Sequence, residues 1–169
     1  MGSASKGSAP RILFVCSNHP LSANNTGASA LNFSHLSLLR RCFPQSECKV
    51  IVLDHLPGTP FYADDLPAPG KTLPIEILPL PAGKAPDGYA AWLKPGYGLM
   101  QYFFPFATRQ NLLAFRESAR GWAPDLIWSE DLVANYFSLS LGSEVPVVYG
   151  HHDSRWKISG RAALHSSRI

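Results

Sequence analysis

Three groups of polar residues in this chain have types and positions suited to proton chemistry on a small polar ligand. The adjacent acids Glu130-Asp131 follow the apolar run Leu126-Ile127-Trp128 and precede a helical pattern. The cluster His151-His152-Asp153 follows a second apolar run, Val147-Val148-Tyr149. The breaker-rich stretch from Ser17 to Thr26 follows a third, Ile12 to Cys16, and leads into Gly27 and another helical pattern. A carboxylate can take a hydroxyl proton, and an imidazole beside a carboxylate, as in His152-Asp153, can exchange one with its tautomer fixed by the neighbour. A glycine at the mouth of a helix leaves backbone N–H groups open to an anion.

Taken singly, each group has a plainer role. An acid at a helix start often only caps it, and a histidine at a strand end often only satisfies loop carbonyls. Their weight comes from convergence, because in an open parallel sheet the loops after such strands meet at one edge, where ligands collect. Two other chemistries fit poorly. Asp54, after the apolar run Lys49 to Leu53, stands where a ribose-binding acid would, but Ser17 to Ala30 offers Gly27 alone and inserts Pro20, so the three glycines of a dinucleotide fingerprint are missing. Adjacent side chains on an extended chain point to opposite sides, which argues against a metal held jointly by His151, His152 and Asp153. No metal ligands are expected.

The elements that must position these groups are legible as alternating strands and helices. Strands are expected at Ile12–Cys16, Lys49–Leu53, Leu73–Leu78, Asp125–Ser129 and Val145–Tyr149. Near-continuous apolar runs of this kind belong to a parallel sheet covered on both faces. The first helix is expected from about Ala28 to Cys42, with Thr26 as N-cap and Ala28, Leu31, Leu38, Leu39 and Cys42 facing inward. His35 falls on that apolar stripe and is expected to be a satisfied core histidine. Helices are also expected at Pro105–Arg120, with Leu112, Leu113, Phe115 and Ala119 inward, at Leu132–Leu141, closed by Gly142, and within Ser154–Ile169. Ten of the 15 prolines lie between Leu56 and Pro105. There, Pro79 to Tyr102 carries Tyr89, Trp92, Tyr97 and Tyr102, a stretch too long and too aromatic for a simple connection. Such aromatics either stack on a sugar or fold back onto the core.

Composition narrows the classes further. A chain of 169 residues is one domain's worth, and a domain over 11–169 is expected after a disordered leader over 1–10. A net charge of +3 without a basic cluster gives no reason to expect nucleic acid. The three cysteines, Cys16, Cys42 and Cys48, have no metal-like spacing and read as reduced core residues of a cytoplasmic protein. Neither a signal peptide nor an apolar run long enough for a bilayer is present, so the glycosylation-type matches at Asn24 and Asn32 carry no weight.

Over about residues 11 to 157, the motifs Ile12–Val15, Thr26-Gly27, Pro124–Asp131 and Pro146–Asp153 resemble, in order, the N-terminal half of family 4 glycosyltransferases of the GT-B fold. The resemblance implies an α/β three-layer Rossmann-like domain with a parallel sheet in the order 3-2-1-4-5. It implies an acceptor-binding half whose C-terminal, donor-binding partner domain lies outside this chain and without which the chain is inactive. The expected reaction is transfer of a sugar from a nucleotide diphosphate sugar, the co-substrate, to a hydroxyl acceptor, and no cofactor is expected on this domain alone. By the same resemblance Gly27, beside Thr26, faces the donor phosphates and His152 with Asp153 is catalytic; Glu130 is also expected to be catalytic, and Asp131, His151 and Tyr97 of the aromatic stretch to bind substrate. Glu130 stands where the family often has histidine; it serves the acceptor hydroxyl as base or reflects a different acceptor. Peripheral membrane contact of a complete enzyme and self-association through a surface meant for the missing domain are compatible with this expectation. The rival, from another class, is a non-catalytic small-molecule-binding module of Rossmann-like or flavodoxin-like fold.

Overall fold

The computed structural model describes residues 9–17, 21–22, 27–55, 61, 63, 73–83, 105–142 and 145–150. In chain order the elements are β1 (Arg11–Ser17), α1 (Gly27–Cys42), β2 (Glu47–Asp54), β3 (Ile75–Pro79), α2 (Arg109–Trp122), β4 (Leu126–Ser129), α3 (Leu132–Leu139) and β5 (Val147–Tyr149). The strands form one sheet in the order β3-β2-β1-β4-β5. Every neighbouring pair is parallel, with Phe14 opposite Val50 on one side and Trp128 on the other. This is the α/β, Rossmann-like arrangement that the apolar runs predict.

Alternation along the central strands divides the core in two. Leu13, Val15, Ile51, Leu53 and Ile127 face α2 and α3 and pack with Phe115, Ala119, Val133, Ala134 and Phe137. Ile12, Phe14, Cys16, Val50 and Val52 face the other way and pack with Leu36 and Leu39 of α1. Helices on both faces of the sheet make three layers. Each large side chain buried in this way contributes about 1.5–3 kcal/mol, so the central strands hold the sheet edge rigidly in place.

The helix faces differ from expectation. On α1 the buried residues are Ser29, Asn32, Leu36, Ser37 and Leu39, whereas Leu31 and Leu38 are exposed. Small polar residues occupy the inward stripe, and the leucine pattern that suggested the stripe lies partly in solvent. On α2, Phe115 and Ala119 are fully buried as expected, but Leu113 is half exposed and Asn111 is buried in its place. Of the cysteines only Cys16 is buried; Cys48 is half-buried and Cys42 exposed, and all three are free thiols.

Boundaries shift where caps and prolines intervene. Pro74 gives its carbonyl to the Val50 N–H at 2.9 Å, and β3 starts one residue later. Thr108 caps α2 by accepting from the Asn111 N–H at 3.1 Å, so the helix opens at Arg109 and not at Pro105. A clasp holds the approach to this helix. Asn111 Nδ2 donates to Pro81 O at 3.0 Å and Phe106 O at 2.7 Å, and the Gly83 N–H donates to Pro105 O at 2.8 Å. A Cβ on Gly83 would come within 2.7 Å of the Thr108 methyl, so glycine is what lets the two strands of the clasp approach. Among the described residues no helix is long and apolar enough to cross a membrane.

Candidate functional site

Glu130 follows directly on β4, and its N–H donates to Val15 O at 3.0 Å, continuing the β1–β4 pairing by one residue. The strand period of two then puts Leu126, Trp128 and Glu130 on the face covered by α1. There the Glu130 side chain is fully buried. Trp128 Nε1 donates to its Oε1 at 2.6 Å. His35 Nδ1, from the middle of α1, lies 3.0 Å from both carboxylate oxygens. The His35 and Trp128 rings are tilted against each other with centroids 5.7 Å apart. An indole N–H can only donate and an ionised carboxylate can only accept, so these contacts are complete when His35 carries a proton on Nδ1.

Asp131 ties the neighbouring loops together. Its Oδ1 accepts from the Ala134 N–H at 2.9 Å, capping α3, and its Oδ2 accepts from the Ser17 N–H at 2.9 Å, at the end of β1. The substrate-binding residue expected from the sequence is thus also a helix cap. Gly150, just past β5, closes the third side: its N–H donates to Ser129 O at 2.7 Å. A Cβ there would stand 3.0 Å from Glu130 Oε2 and 3.4 Å from Cδ, so the buried carboxylate occupies the space a side chain at 150 would need. Glu130, Asp131 and Gly150 therefore meet at one edge.

The two carboxylates make that edge electronegative. Burial pushes the Cys16 thiol well above its ordinary pKa, and Asp131 and Glu130 add to the effect. Burial likewise raises the Tyr149 hydroxyl, with Asp131 next. Their charge repels an unneutralised phosphate, and of the two Asp131 is the carboxylate that keeps some exposure. Gly27 opens α1 in an exposed position where an added Cβ would meet none of the described residues within 4 Å, and the first turn holds no acid. Asp54 ends β2, and its carbonyl accepts from the Leu80 N–H at 2.7 Å.

Thr26, Tyr97, His151, His152 and Asp153 lie outside the described residues, as do the helix expected within Ser154–Ile169 and 84–102 of the aromatic stretch. Among the described residues no group of three His, Cys, Asp or Glu is arranged to hold a metal ion. His35 is the residue that sequence reasoning underrated. It is satisfied, as expected, but by a buried carboxylate 95 residues away, and its own side chain is 31% exposed. Trp128 was assigned only to a strand. Its partner stands two residues on, the spacing that puts two side chains on one face of an extended chain, and this was the one local signal available. No family model, curated protein or solved structure matches this chain.

Proposed function

We propose that this chain is the acceptor-binding half of a glycosyltransferase that moves a sugar from a nucleotide diphosphate sugar to a hydroxyl acceptor. The observation that carries the reading is the electronegative carboxyl edge, where Glu130 and Asp131 meet beside Gly150 at the ends of β1, β4 and β5. Paired carboxylates suit a hydroxyl-bearing acceptor. A donor diphosphate calls for N–H groups and cations, which in this reading come chiefly from a separate donor-binding domain, with the Thr26-Gly27 opening of α1 facing the phosphates across the cleft. The sheet order 3-2-1-4-5 agrees with the fold that the resemblance implies.

Within this reading His152, oriented by Asp153, donates to the acceptor, and Glu130 places a negative charge beneath it. His151 and Tyr97 line the acceptor. The test is sugar transfer by a protein carrying both halves, followed as nucleoside diphosphate release with hydroxyl acceptors. His152→Ala should lower turnover by about two orders of magnitude while the thermal midpoint moves little. Wild-type turnover in that variant would make His152 structural. Absence of transfer from every nucleotide diphosphate sugar, with small molecules still bound, would favour the non-catalytic binding module instead.

A further inference from the structure

Glu130 is sealed from solvent and both its oxygens are engaged, whereas the ring that holds it is 31% exposed. A proton acceptor must reach the proton it takes. Of the two groups, His35 is the one that meets solvent, and it comes from a helix whose side chains lean toward the N-terminal end, the end nearest the ligand edge. We infer that His35 is the proton-exchanging group of this edge and that Glu130 acts through it as a positioning residue. The inference rests on the transferase reading above.

The parts have defined tasks. Trp128 Nε1 holds the carboxylate, which fills the space that a side chain at Gly150 would need. The carboxylate then fixes the proton of His35 on Nδ1, which makes Nε2 the basic nitrogen of the ring, the same logic by which a buried acid orients a catalytic imidazole. During transfer the acceptor O–H bond breaks and its proton passes to Nε2. The oxygen lone pair forms the bond to the anomeric carbon. The bond from that carbon to the phosphate oxygen breaks, and its electron pair leaves with the nucleoside diphosphate. The imidazolium, stabilised against Glu130, returns its proton to the departing diphosphate.

His35→Asn separates this role from a structural one, since the asparagine amide can still donate to Glu130 but offers no basic nitrogen. In a protein with both halves H35N should lower kcat about 100-fold, with KM and thermal midpoint near wild type, and added imidazole should restore part of the rate in His35→Ala. Unchanged kcat in H35N overturns the inference and leaves the transferase reading standing. No transfer by the wild type from any nucleotide diphosphate sugar overturns the transferase reading and the hydroxyl role of His35 together. Nitrogen-15 NMR of this chain alone decides the dyad independently of activity. The neutral ring should carry its proton on Nδ1 and revert toward the Nε2–H tautomer in Glu130→Gln; an Nε2–H ring in the wild type overturns it.

Discussion

Glu76 and Glu130 are both carboxylates gripped by a basic side chain, at 2.6 Å from Lys49 Nζ and 3.0 Å from His35 Nδ1. Each also accepts from a neutral donor at 2.6 Å, Ser118 Oγ for Glu76 and Trp128 Nε1 for Glu130. Their settings differ. Glu76 lies on β3, at the edge of the sheet, with 37% of its side chain exposed, and Glu130 has none exposed. Burial raises the Glu76 pKa, but the hydrogen bonds from Lys49 and Ser118 outweigh it and hold the carboxyl below its ordinary value. Similar contact geometry therefore does different work: at β3 it pins strand to helix in water, and at the carboxyl edge of β4 it orients a ring. Pair distance alone does not distinguish a structural acid from one that serves a site. Burial of the acid and exposure of its partner do.

The largest effect should come from Glu130→Ala. It strands the half-buried Trp128 N–H and removes a carboxylate from beside His35, at a cost of about 3 kcal/mol, measurable by urea unfolding. A loss below about 1 kcal/mol would erase the contrast with Glu76. Trp128→Phe keeps the ring and deletes one bond to a charged acceptor, so about 2 kcal/mol is expected in the same assay. Gly150→Ala should cost about 1 kcal/mol. Its new methyl presses on a carboxylate that its donors keep from moving aside, and the His35 nitrogen-15 shifts should move with it. The smallest effect belongs to Glu76→Gln, below about 1 kcal/mol because the pair is screened. Since the folded pKa of Glu76 is lowered, its contribution is present above the ordinary carboxylate range and lost as pH falls through the lowered value. The variant should therefore lose less stability between neutral and acid pH than the wild type does, read from thermal midpoints at each pH.

The five strands and the placing of Glu130, Asp131 and Gly150 at their ends were legible in the sequence, because buried parallel strands announce themselves as apolar runs with polar groups at their ends, whereas their order came with the resemblance. The inward face of α1 was not. Its packing uses Ser29, Asn32 and Ser37, whose polarity points outward in any hydrophobic pattern, while Leu31 and Leu38 stand in solvent. The role of His35 was hidden for a different reason. Its significance depends on an acid 95 residues distant, and only the folded sheet brings the two within 3.0 Å. Local periodicity could place the ring on a helix and could say nothing of its partner.

The clasp at the start of α2 has a consequence for how this fold can be remade. Gly83 and Pro105 are joined by a hydrogen bond of 2.8 Å, and Asn111 locks Pro81 and Phe106 on either side of that junction. Residues 83 and 105 are thereby held side by side at one anchored point. Closing a longer connection between two ends fixed in this way costs only about 0.6 kcal/mol per doubling of its length, so a change in the length of chain joining Gly83 to Pro105 should be tolerated at small cost. Grafting a different sequence between Gly83 and Pro105 should therefore leave the sheet and the Glu130–His35 pair as they are, giving evolution or a designer a socket already framed by the scaffold.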